Sequence, residues 1–508
     1  MFYSIKRLPV RDVILMLLLV SALGAAASAT KIKPRKGMNV VGQVTVDGKP
    51  RAGVTVSDGV NVVTTDKKGI YQMASAGRQH VFVSVPSDCR IPMADGMPAF
   101  YQTISHSDGS AVARRDFELQ SASGRDKWTL FVVADPQIAV PDTADFSCII
   151  MPQMRKFVST LGENTVGIAL GDLVWNSPEL YPRYVEEIST LGIPVLSVIG
   201  NHDHNQFVKN DTESDRDFRN ALGPAYYSVN VGDCHIVALD DILYRGVKTR
   251  NDYSARITSQ QLDWLRKDLA NVDTSKTVIV GLHIPTARRN SPSRLQNSDS
   301  LYALLRPFHR AEILSGHTHY NFSSDIEPGI TETTFASSMG ALWHPLCGDG
   351  TPRGFAAMEF TGPEVTDKYF VGAGYPRSYQ MEVYAPADAV LWDPEKNPGD
   401  PYDKILINIF FWHHDWTVEV SEDGRAWAAL GEADRLVPKV NCKRSWDPNV
   451  RKCMVNGHIP ATHGKPKPTD NNDHMFLYKP SPEWKTVTVR ATDPYGNVYT
   501  ETLMNPEK

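Results

Sequence analysis

The stretch Ile193-Pro194-Val195-Leu196-Ser197-Val198-Ile199-Gly200-Asn201-His202-Asp203-His204 passes from an apolar segment into a row of polar side chains. Residues 193–199 have the length and apolar content of a buried strand. The strand ends at a glycine, and an amide, an imidazole and a carboxylate follow it. Such a row is unsuited to a core, because buried polar groups need partners. We interpret it as part of a metal or acid–base site at a strand end.

Four further apolar segments end in the same way. They deliver Asp135-Pro136-Gln137, Gly171-Asp172, His283, and Ser315-Gly316-His317-Thr318-His319. One such residue alone is more often a turn, a helix cap or a hydrogen-bonded structural histidine. Five together predict a shared site, because open α/β sheets bind ligands at the carboxyl ends of their strands. Strand alternation would put His317 and His319 on the same side, and these donors suit divalent metals.

The periodicity divides the chain into domains. Short strands separated by Gly and Asp predict a β-sandwich over residues 30–122, in which Thr64-Thr65-Asp66 and Gly69-Ile70-Tyr71 resemble the hairpin of transthyretin-like modules. Strands alternating with helices predict an α/β domain over 126–372, with largely parallel strands. Ser177 and Thr258 are expected to cap helices. Residues 373–508 return to a β-rich pattern.

The N-terminus has the features of a signal peptide over residues 1–29. Lys6, Arg7 and Arg11 precede an apolar run, and Ala27-Ser28-Ala29 forms an A-x-A cleavage site. The alternative is an uncleaved anchor, but the run is shorter than the roughly 20 residues that a membrane span needs. We therefore expect an exported protein, periplasmic or secreted, with no membrane span in the mature chain.

Composition adds weaker constraints. The 508 residues, 42% of them hydrophobic and 22% charged, predict a folded protein of several domains. A net charge of −5 without a concentrated basic face gives no reason to expect a nucleic-acid partner. Six cysteines show no C-x-x-C spacing; Cys442 and Cys453 could pair, and Cys234 is expected to be a small buried residue.

The order D-x-Q, G-D, G-N-H-D, H and G-H-T-H resembles the calcineurin-like metallophosphoesterase superfamily over residues 128–370. The flanking β domains resemble an arrangement in exported bacterial members. The resemblance implies a four-layer α/β/β/α central domain that binds two divalent ions, with manganese, iron and zinc left open. It assigns Asp135, Gln137 and His319 to the first metal, Asp172 to both, and Asn201, His283 and His317 to the second.

The resemblance also implies a reaction. A hydroxide bridging the two ions attacks phosphorus in line, and His202, steered by Asp203, protonates the leaving oxygen. Many members have histidine where this chain has Gln137, which implies a looser or more manganese-like first metal. Monoester and diester hydrolysis stay open, as do the oligomeric state and the choice between a phosphorylated small molecule and cell-envelope material as substrate.

Several interpretations stay open at this point. Arg288 and Arg289 begin a basic loop that either binds the remaining negative charge of the substrate or is solvated, and His204 is either a substrate contact or a turn residue. Residues 410–415, Phe-Phe-Trp-His-His-Asp, form either an exposed binding face or a sandwich core with its adjoining turn. The competing function is a non-catalytic glycan- or protein-binding protein on a degenerate phosphoesterase fold.

Overall fold

The computed structural model describes residues 31–104, 111–140, 143–208, 210–245, 252–288, 294–341, 343, 346–385, 404–435 and 474–505. The predicted signal peptide, the predicted pairing of Cys442 with Cys453, and Arg289 lie outside these ranges. No helix in the described ranges is long and apolar enough to cross a bilayer.

The N-terminal domain consists of short strands in two main sheets. The strands are β1 Val40–Val46, β2 Lys49–Pro50, β3 Thr55–Ser57, β4 Val62–Thr64, β5 Ile70–Met73, β6 His80–Val83, β7 Met93–Ala94, β8 Met97–Pro98, β9 Tyr101–Thr103, β10 Ala113–Arg114 and β11 Phe117–Leu119. One sheet is organised around β1, which pairs with β2, β5, β10 and β11, and the other has the order β4-β3-β6-β9. The predicted β domain is confirmed.

Two larger sheets form the central domain. Their strands are β12 Lys127–Val133, β13 Thr165–Leu170, β14 Val195–Val198, β15 Tyr227–Val231, β16 Cys234–Ala238, β17 Ile242–Tyr244, β18 Tyr253–Ala255, β19 Thr277–Gly281, β20 Arg310–Ser315, β21 Phe322–Glu327, β22 Ile330–Thr334, β23 Gly354–Thr361 and β24 Glu364–Gly372. The first sheet has the order β14-β13-β12-β23-β24 and the second the order β15-β16-β19-β20-β22-β21, while β17 and β18 form a separate hairpin. Strands β12, β13 and β14 are parallel, and so are β16, β19, β20 and β22.

The two sheets pack face to face with helices outside them. A Cβ added to Gly281 of β19 would lie 2.6 Å from Ile168 Cδ1 of β13, so the sheets meet there without spare room. The helices are α1 Thr143–Asp145, α2 Met151–Val158, α3 Tyr181–Ile188, α4 Asp211–Ser214, α5 Arg216–Leu222, α6 Ser259–Leu269 and α7 Ser298–Leu305. Phe157 of α2 packs on Phe131 of the first sheet at 6.1 Å between ring centroids. In the second sheet, His235 Nε2 lies 2.9 Å from Asp268 Oδ2 of α6. The predicted four-layer α/β/β/α arrangement is confirmed.

The two predicted helix caps have different outcomes. The Thr258 side chain accepts a hydrogen bond from the backbone N–H of Gln261 at 3.3 Å and caps α6, as predicted. Ser177 precedes a short 3₁₀ turn, Pro178–Leu180, and its side chain makes no capping hydrogen bond. Ser177 and Pro178 therefore occupy the predicted N-cap and first positions, but the side-chain cap is absent.

The N-terminal domain packs against α6, and its hydrophobic core is continuous with that of the central domain. The indole Nε1 of Trp264 donates to Ser57 Oγ at 3.0 Å, and the Trp264 and Phe82 rings meet at 6.1 Å. Buried residues of the two domains form one continuous hydrophobic cluster. The prediction that Cys234 is buried is confirmed, and among the described residues Cys89, Cys148, Cys234 and Cys347 form no disulfide.

The C-terminal domain has a separate hydrophobic core between two sheets. Its strands are β25 Met381–Tyr384, β26 Ile405–Ile409, β27 Thr417–Glu422, β28 Ala428–Leu430, β29 Met475–Tyr478, β30 Thr486–Thr492 and β31 Val498–Met504. The sheet orders are β25-β26-β29 and β28-β27-β30-β31. Phe410 and Phe411 are buried, which argues against an exposed binding face, but Phe411 belongs to the core of the catalytic domain and not to the core of the C-terminal sandwich. The domain boundaries at 122, 126 and 372 stay predictions.

Candidate metal centre

The five polar strand ends meet at one edge of the two facing sheets. The first sheet supplies the ends of β12, β13 and β14, and the second supplies those of β19 and β20. This places together the seven side chains predicted as metal ligands: Asp135, Gln137, Asp172, Asn201, His283, His317 and His319. Their positions follow from strand topology, because parallel neighbours end at the same edge. The assignment of each as a ligand stays a prediction.

One group of donors converges around His283. Its Nε2 lies 3.2 Å from Asp172 Oδ1, 3.2 Å from Asn201 Oδ1 and 3.2 Å from His317 Nδ1. The ligand atoms of Asp172, His283 and His317 all lie within 4.8 Å of one another, so these three residues could hold a metal ion. Two imidazoles, an amide oxygen and a carboxylate are a donor set that suits a divalent transition metal.

The tautomer of His283 is fixed by the backbone. Its Nδ1 lies 2.8 Å from the carbonyl oxygen of Leu170, which can only accept a hydrogen bond, so Nδ1 carries the proton. Nε2 is then the ring nitrogen that faces Asp172, Asn201 and His317 and that a cation would bind. A hydrogen bond from the second ring nitrogen is the usual way in which a metal-binding histidine is oriented.

A second group of donors lies on the other side of Asp172. His319 Nε2 is 3.3 Å from Asp135 Oδ1 and 2.9 Å from Gln137 Nε2, and Gln137 Nε2 is 3.2 Å from Asp172 Oδ2. Gln137 is buried, its Nε2 is the amide atom that faces Asp172 and His319, and its Oε1 has no hydrogen-bond partner among the described residues. A half-turn of the amide would place Oε1, the atom that can bind a metal, beside these two residues. An unpartnered buried carbonyl oxygen is costly unless something else binds the amide. A divalent ion beside these four residues fits that requirement.

The backbone is strained where it presents these donors. The φ angle is positive at Asp135 (48°), Gln137 (41°), Asp172 (50°), His317 (68°) and His319 (55°). Residues other than glycine rarely adopt this region, and such strain is concentrated at functional sites. It also corrects the expectation of strand alternation for the last two histidines. Strand β20 ends before them, and left-handed turns bring their imidazoles to the site.

Glycines allow the close approach between neighbouring turns. A Cβ on Gly200 would lie 2.2 Å from the backbone nitrogen of Asp172, and one on Gly316 would lie 2.5 Å from Asp135 Oδ2. Both distances are far below van der Waals contact, so any side chain would force the two turns apart. The glycine that precedes Asn201 is therefore required by packing.

The charges of the centre are strongly coupled. Burial alone would raise the pKa of Asp172, but His283 and His202 outweigh it and hold the pKa of this carboxyl well below its usual range. Burial, His283 and Arg288 lower the pKa of His317. Buried carboxylates of this kind require compensating positive charge, which bound cations would supply.

His202 is oriented by a residue that we did not predict. Its Nδ1 lies 2.9 Å from Asn176 Oδ1, which also accepts a hydrogen bond from Gln206 Nε2, so Nδ1 is the donor. The ring stacks on Trp175 at 3.6 Å between centroids. Nε2 points towards the centre and lies 3.9 Å from Asp172 Oδ2.

The prediction that Asp203 steers His202 was wrong. The buried Asp203 carboxylate accepts hydrogen bonds from the backbone N–H groups of Gly200 (2.8 Å), Leu173 (3.0 and 3.1 Å) and Val174 (3.1 Å). These bonds tie the Gly171-Asp172 turn to the Gly200-Asn201 turn. Asp203 is therefore a structural residue of the centre, because backbone donors use both of its oxygens.

The three predicted substrate contacts have separate outcomes. His204 is buried, its Nδ1 lies 2.8 Å from Ser214 Oγ and its Nε2 3.4 Å from Asp240 Oδ1, so it is a packed turn residue and not a substrate contact. Arg288 is half-buried in the segment after His283, and its Nε has no hydrogen-bond partner among the described residues. Arg289 lies outside the described residues.

Two buried carboxylates hold the segment after His283 and were missed by sequence reasoning. Asp241 Oδ2 accepts a hydrogen bond from the backbone N–H of Ile284 at 2.7 Å. Glu332 accepts bonds from the N–H groups of Thr286 (2.9 Å) and Ala287 (2.8 Å) and from Ser315 Oγ (3.0 Å). Glu332 therefore connects the ends of the two strands that carry His283 and His317. Its position within a strand gave no local signal of this role.

Replacing Glu332 with glutamine is expected to change how stability depends on pH. Burial raises the pKa of Glu332 to about 7 from a usual 4.5. The folded chain then binds a proton between pH 7 and 4.5 that the unfolded chain does not bind, so this group favours folding more strongly as pH falls. Wild type should gain on the order of 2 kcal/mol relative to Glu332→Gln between pH 8 and pH 5. Denaturation of both proteins across this range measures the difference, and a constant difference would contradict the burial of a titrating carboxyl.

Comparisons with known proteins agree with this geometry. Three family models match the chain: the N terminal of calcineurin-like phosphoesterase at residues 38–122, calcineurin-like phosphoesterase at 131–321, and the C terminal of calcineurin-like phosphoesterase at 337–499. A probable cyclic nucleotide phosphodiesterase of Synechococcus sp. is 25% identical over 200 residues, which cover 38% of this chain and 71% of the relative.

Two solved structures with distant similarity come from phosphatases. A dimetal phosphatase of Danio rerio is 13% identical with a TM-score of 0.37, over 48% of this chain and 99% of that one. A purple acid phosphatase from yellow lupin is 11% identical with a TM-score of 0.35, over 63% of this chain and 69% of that one. The assignment rests on the three sequence models, which span the N-terminal, catalytic and C-terminal parts in order. The chain belongs to the calcineurin-like phosphoesterase family and is a phosphoester hydrolase.

Proposed function

We propose that this protein is an exported phosphoester hydrolase that works with two divalent metal ions. The observation that carries the proposal is the pair of donor groups on either side of Asp172. One group contains Asp135, Gln137 and His319, and the other contains Asn201, His283 and His317. Asp172 presents Oδ2 towards the first group and Oδ1 towards the second. A carboxylate in this position is suited to both sites.

The residues present fit two ions. Two divalent cations, when bound, neutralise the negative charge of a phosphoester and lower the pKa of water. The buried Gln137 Oε1, which has no partner among the described residues, and His283 Nε2, which faces Asp172, Asn201 and His317, support a cation on each side. Manganese, iron and zinc all remain candidates. The neutral glutamine oxygen at position 137 is a hard, weak donor and favours manganese at the first site.

His202 is proposed to protonate the leaving oxygen. Its Nδ1 is engaged with Asn176, which leaves Nε2 as the nitrogen that faces the centre. Stacking on Trp175 fixes the plane of the ring and covers one of its faces. A positioned imidazole of this kind typically contributes 10²–10⁴-fold to proton transfer.

Arg288 is proposed to bind the phosphate group of the substrate. Burial lowers the pKa of its guanidinium, and the side chain is half-buried in the segment that follows His283. A guanidinium in the segment after His283, with an N–H that has no partner among the described residues, is suited to a phosphate oxygen. The substrate class stays open between monoesters and diesters, and between small molecules and cell-envelope material.

Paired nitrophenyl phosphates test the function. The purified protein, loaded with manganese, iron or zinc in turn, is assayed with a nitrophenyl monoester and the corresponding diester. We expect metal-dependent hydrolysis of at least one ester. Two bound ions without hydrolysis of either ester would favour the competing function, a non-catalytic glycan- or protein-binding protein.

The His202→Ala variant is expected to retain its metal ions and to lose activity. The loss should be on the order of 10²–10⁴-fold with an alkyl phosphate, whose leaving group needs a proton. It should be smallest with a nitrophenyl ester, because nitrophenolate leaves without one. Metal content and the hydrolysis rates with both substrates are measured to check this prediction. The His309→Ala variant, which removes an exposed histidine, is the control. A fall in metal content would show that His202 is a ligand and not the acid.

Export is proposed from the basic, apolar and A-x-A pattern of residues 1–29. Expression of the full chain in a bacterial host followed by fractionation is the test. Mass spectrometry of the exported protein should find Thr30 as its first residue. Retention of the whole chain with residues 1–29 in the membrane fraction would instead indicate an anchor.

A further inference from the structure

Two histidines and two aspartates meet where the catalytic and C-terminal domains touch. His413, His414 and Asp415 lie in the turn between β26 and β27 of the C-terminal domain, and Asp325 lies in β21 of the catalytic domain. We call these four residues the junction cluster. Strand β21 is at the edge of its six-stranded sheet, so Asp325 is accessible from the neighbouring domain. None of the four belongs to the centre described above.

The side chains of the junction cluster are close together. His414 Nε2 lies 3.2 Å from Asp325 Oδ2 and 3.2 Å from Asp415 Oδ1. His413 Nδ1 lies 3.3 Å from Asp415 Oδ2, and its Nε2 lies 3.8 Å from Asp325 Oδ1. Ligand atoms of Asp325, His413 and His414 all fall within 4.8 Å of one another. Ligands bonded to a tetrahedral zinc ion at 2.0–2.2 Å are separated by about 3.3–3.6 Å, which is close to this spacing.

The cluster is held in place from both domains. The backbone N–H of Trp416 donates to the carbonyl oxygen of His413 at 2.9 Å and closes the turn. Phe411, two residues before the first histidine, packs on Phe335 and Phe370 of the catalytic domain. Asn321 Nδ2 donates to the carbonyl oxygen of Phe410 at 2.9 Å. These contacts hold the turn with its two imidazoles opposite β21, and none of them involves a side chain of the junction cluster.

Ordinary ion pairing does not account for the composition of the cluster. A surface histidine and one carboxylate suffice for an ion pair, as in His309 and Glu364, where Nε2 and Oε1 are 2.6 Å apart. In the junction cluster the two imidazole rings are 3.9 Å apart between centroids. Two histidinium ions at that distance would repel each other, whereas two neutral imidazoles can bind one cation.

We propose that the junction cluster binds a divalent transition-metal ion of the zinc class. Imidazole and carboxylate donors in this combination favour such an ion over magnesium or calcium. The ion would bridge β21 to the turn between β26 and β27 and thereby fasten the C-terminal domain to the catalytic domain. This site is independent of the phosphoesterase centre, so it stands whether or not the proposed dinuclear mechanism is correct.

Zinc binding to the full-length mature protein tests the proposal. Bound zinc is counted by equilibrium dialysis and elemental analysis in wild type, His414→Ala and Asp325→Ala, with His309→Ala as the matched control. All four proteins keep the residues of the catalytic centre, so a difference in the number of bound zinc ions reports on the junction cluster alone. We expect both cluster variants to bind one ion fewer per chain than wild type and His309→Ala. Zinc should also raise the unfolding midpoint of wild type by at least about 2 °C more than that of the cluster variants.

Equal zinc content and equal midpoint shifts in all four proteins would overturn the proposal. His414 is 59% exposed, so its truncation leaves no cavity, and a cooperative thermal unfolding transition of each metal-free variant checks that it is folded. Asp325→Asn, which keeps the size of the side chain, repeats the count if either alanine variant does not fold. Loss of hydrolysis with an unchanged difference in zinc content would count against the phosphoesterase mechanism and not against the junction site.

Discussion

The Asp172→Ala variant is expected to lose both metal ions and to hydrolyse phosphoesters on the order of 10³-fold or more slowly than wild type. The reason is the position of its carboxylate between the two donor groups. Oδ1 lies 3.2 Å from His283 Nε2, and Oδ2 lies 3.2 Å from Gln137 Nε2. Oδ1 also accepts a hydrogen bond from the backbone N–H of His202 at 2.8 Å, so the loss extends to the proposed acid.

Elemental analysis and the rate of nitrophenyl phosphate hydrolysis measure this effect. Asp172→Asn is the informative companion, because asparagine keeps an oxygen for the His202 N–H but lacks the negative charge. We expect it to fold like wild type and to bind metal much more weakly. An Asp172→Ala protein that keeps two ions and most of its activity would show that the two donor groups do not share this residue.

Asp203→Ala is expected to destabilise the protein by about 3–5 kcal/mol, because it leaves several buried backbone donors without a partner. The carboxylate accepts N–H groups from both the Gly171-Asp172 turn and the Gly200-Asn201 turn. Its loss should therefore lower the unfolding midpoint and reduce metal affinity together. This outcome differs from that of a residue that merely steers His202, whose removal would leave stability unchanged.

Asp263 supplies the control for this prediction. It lies on α6 with 62% of its side chain exposed, and its ion pair is with the equally exposed Arg266, three residues later on the same helix. Exposed pairs of this kind contribute 0–1 kcal/mol, so Asp263→Ala should behave almost like wild type. Equal stability of Asp203→Ala and Asp263→Ala would contradict the structural role of Asp203.

Much of the fold could be predicted from the sequence because it depends on local patterns. Apolar runs of strand length located the strands that end at the metal centre, and their parallel order places those ends together. The strand before Asn201 ends at a glycine, and the close approach of Gly200 to the Asp172 backbone leaves no room for a side chain there. These features are determined by chain periodicity and by excluded volume.

The incorrect predictions concern which distant residues a side chain contacts in the folded protein. Asp203 is adjacent to His202 in sequence, but the nearer donors are backbone N–H groups 30 residues away. Asn176, which does orient His202, lies 26 residues from it and carries no motif. His204 follows the same turn, yet it points into a buried polar environment with Ser214 and Asp240. Sequence adjacency does not reveal which side of a turn a side chain occupies.

The most direct test of the central claim is a titration of activity against bound metal. The His414→Ala variant, freed of metal and then loaded in steps with manganese, is assayed for nitrophenyl phosphate hydrolysis at each measured occupancy; this variant excludes the junction cluster. The account predicts that the rate rises to a plateau at two ions per chain and disappears again on chelation. A plateau at one ion, or no hydrolysis with two ions bound, would contradict a dinuclear phosphoesterase centre.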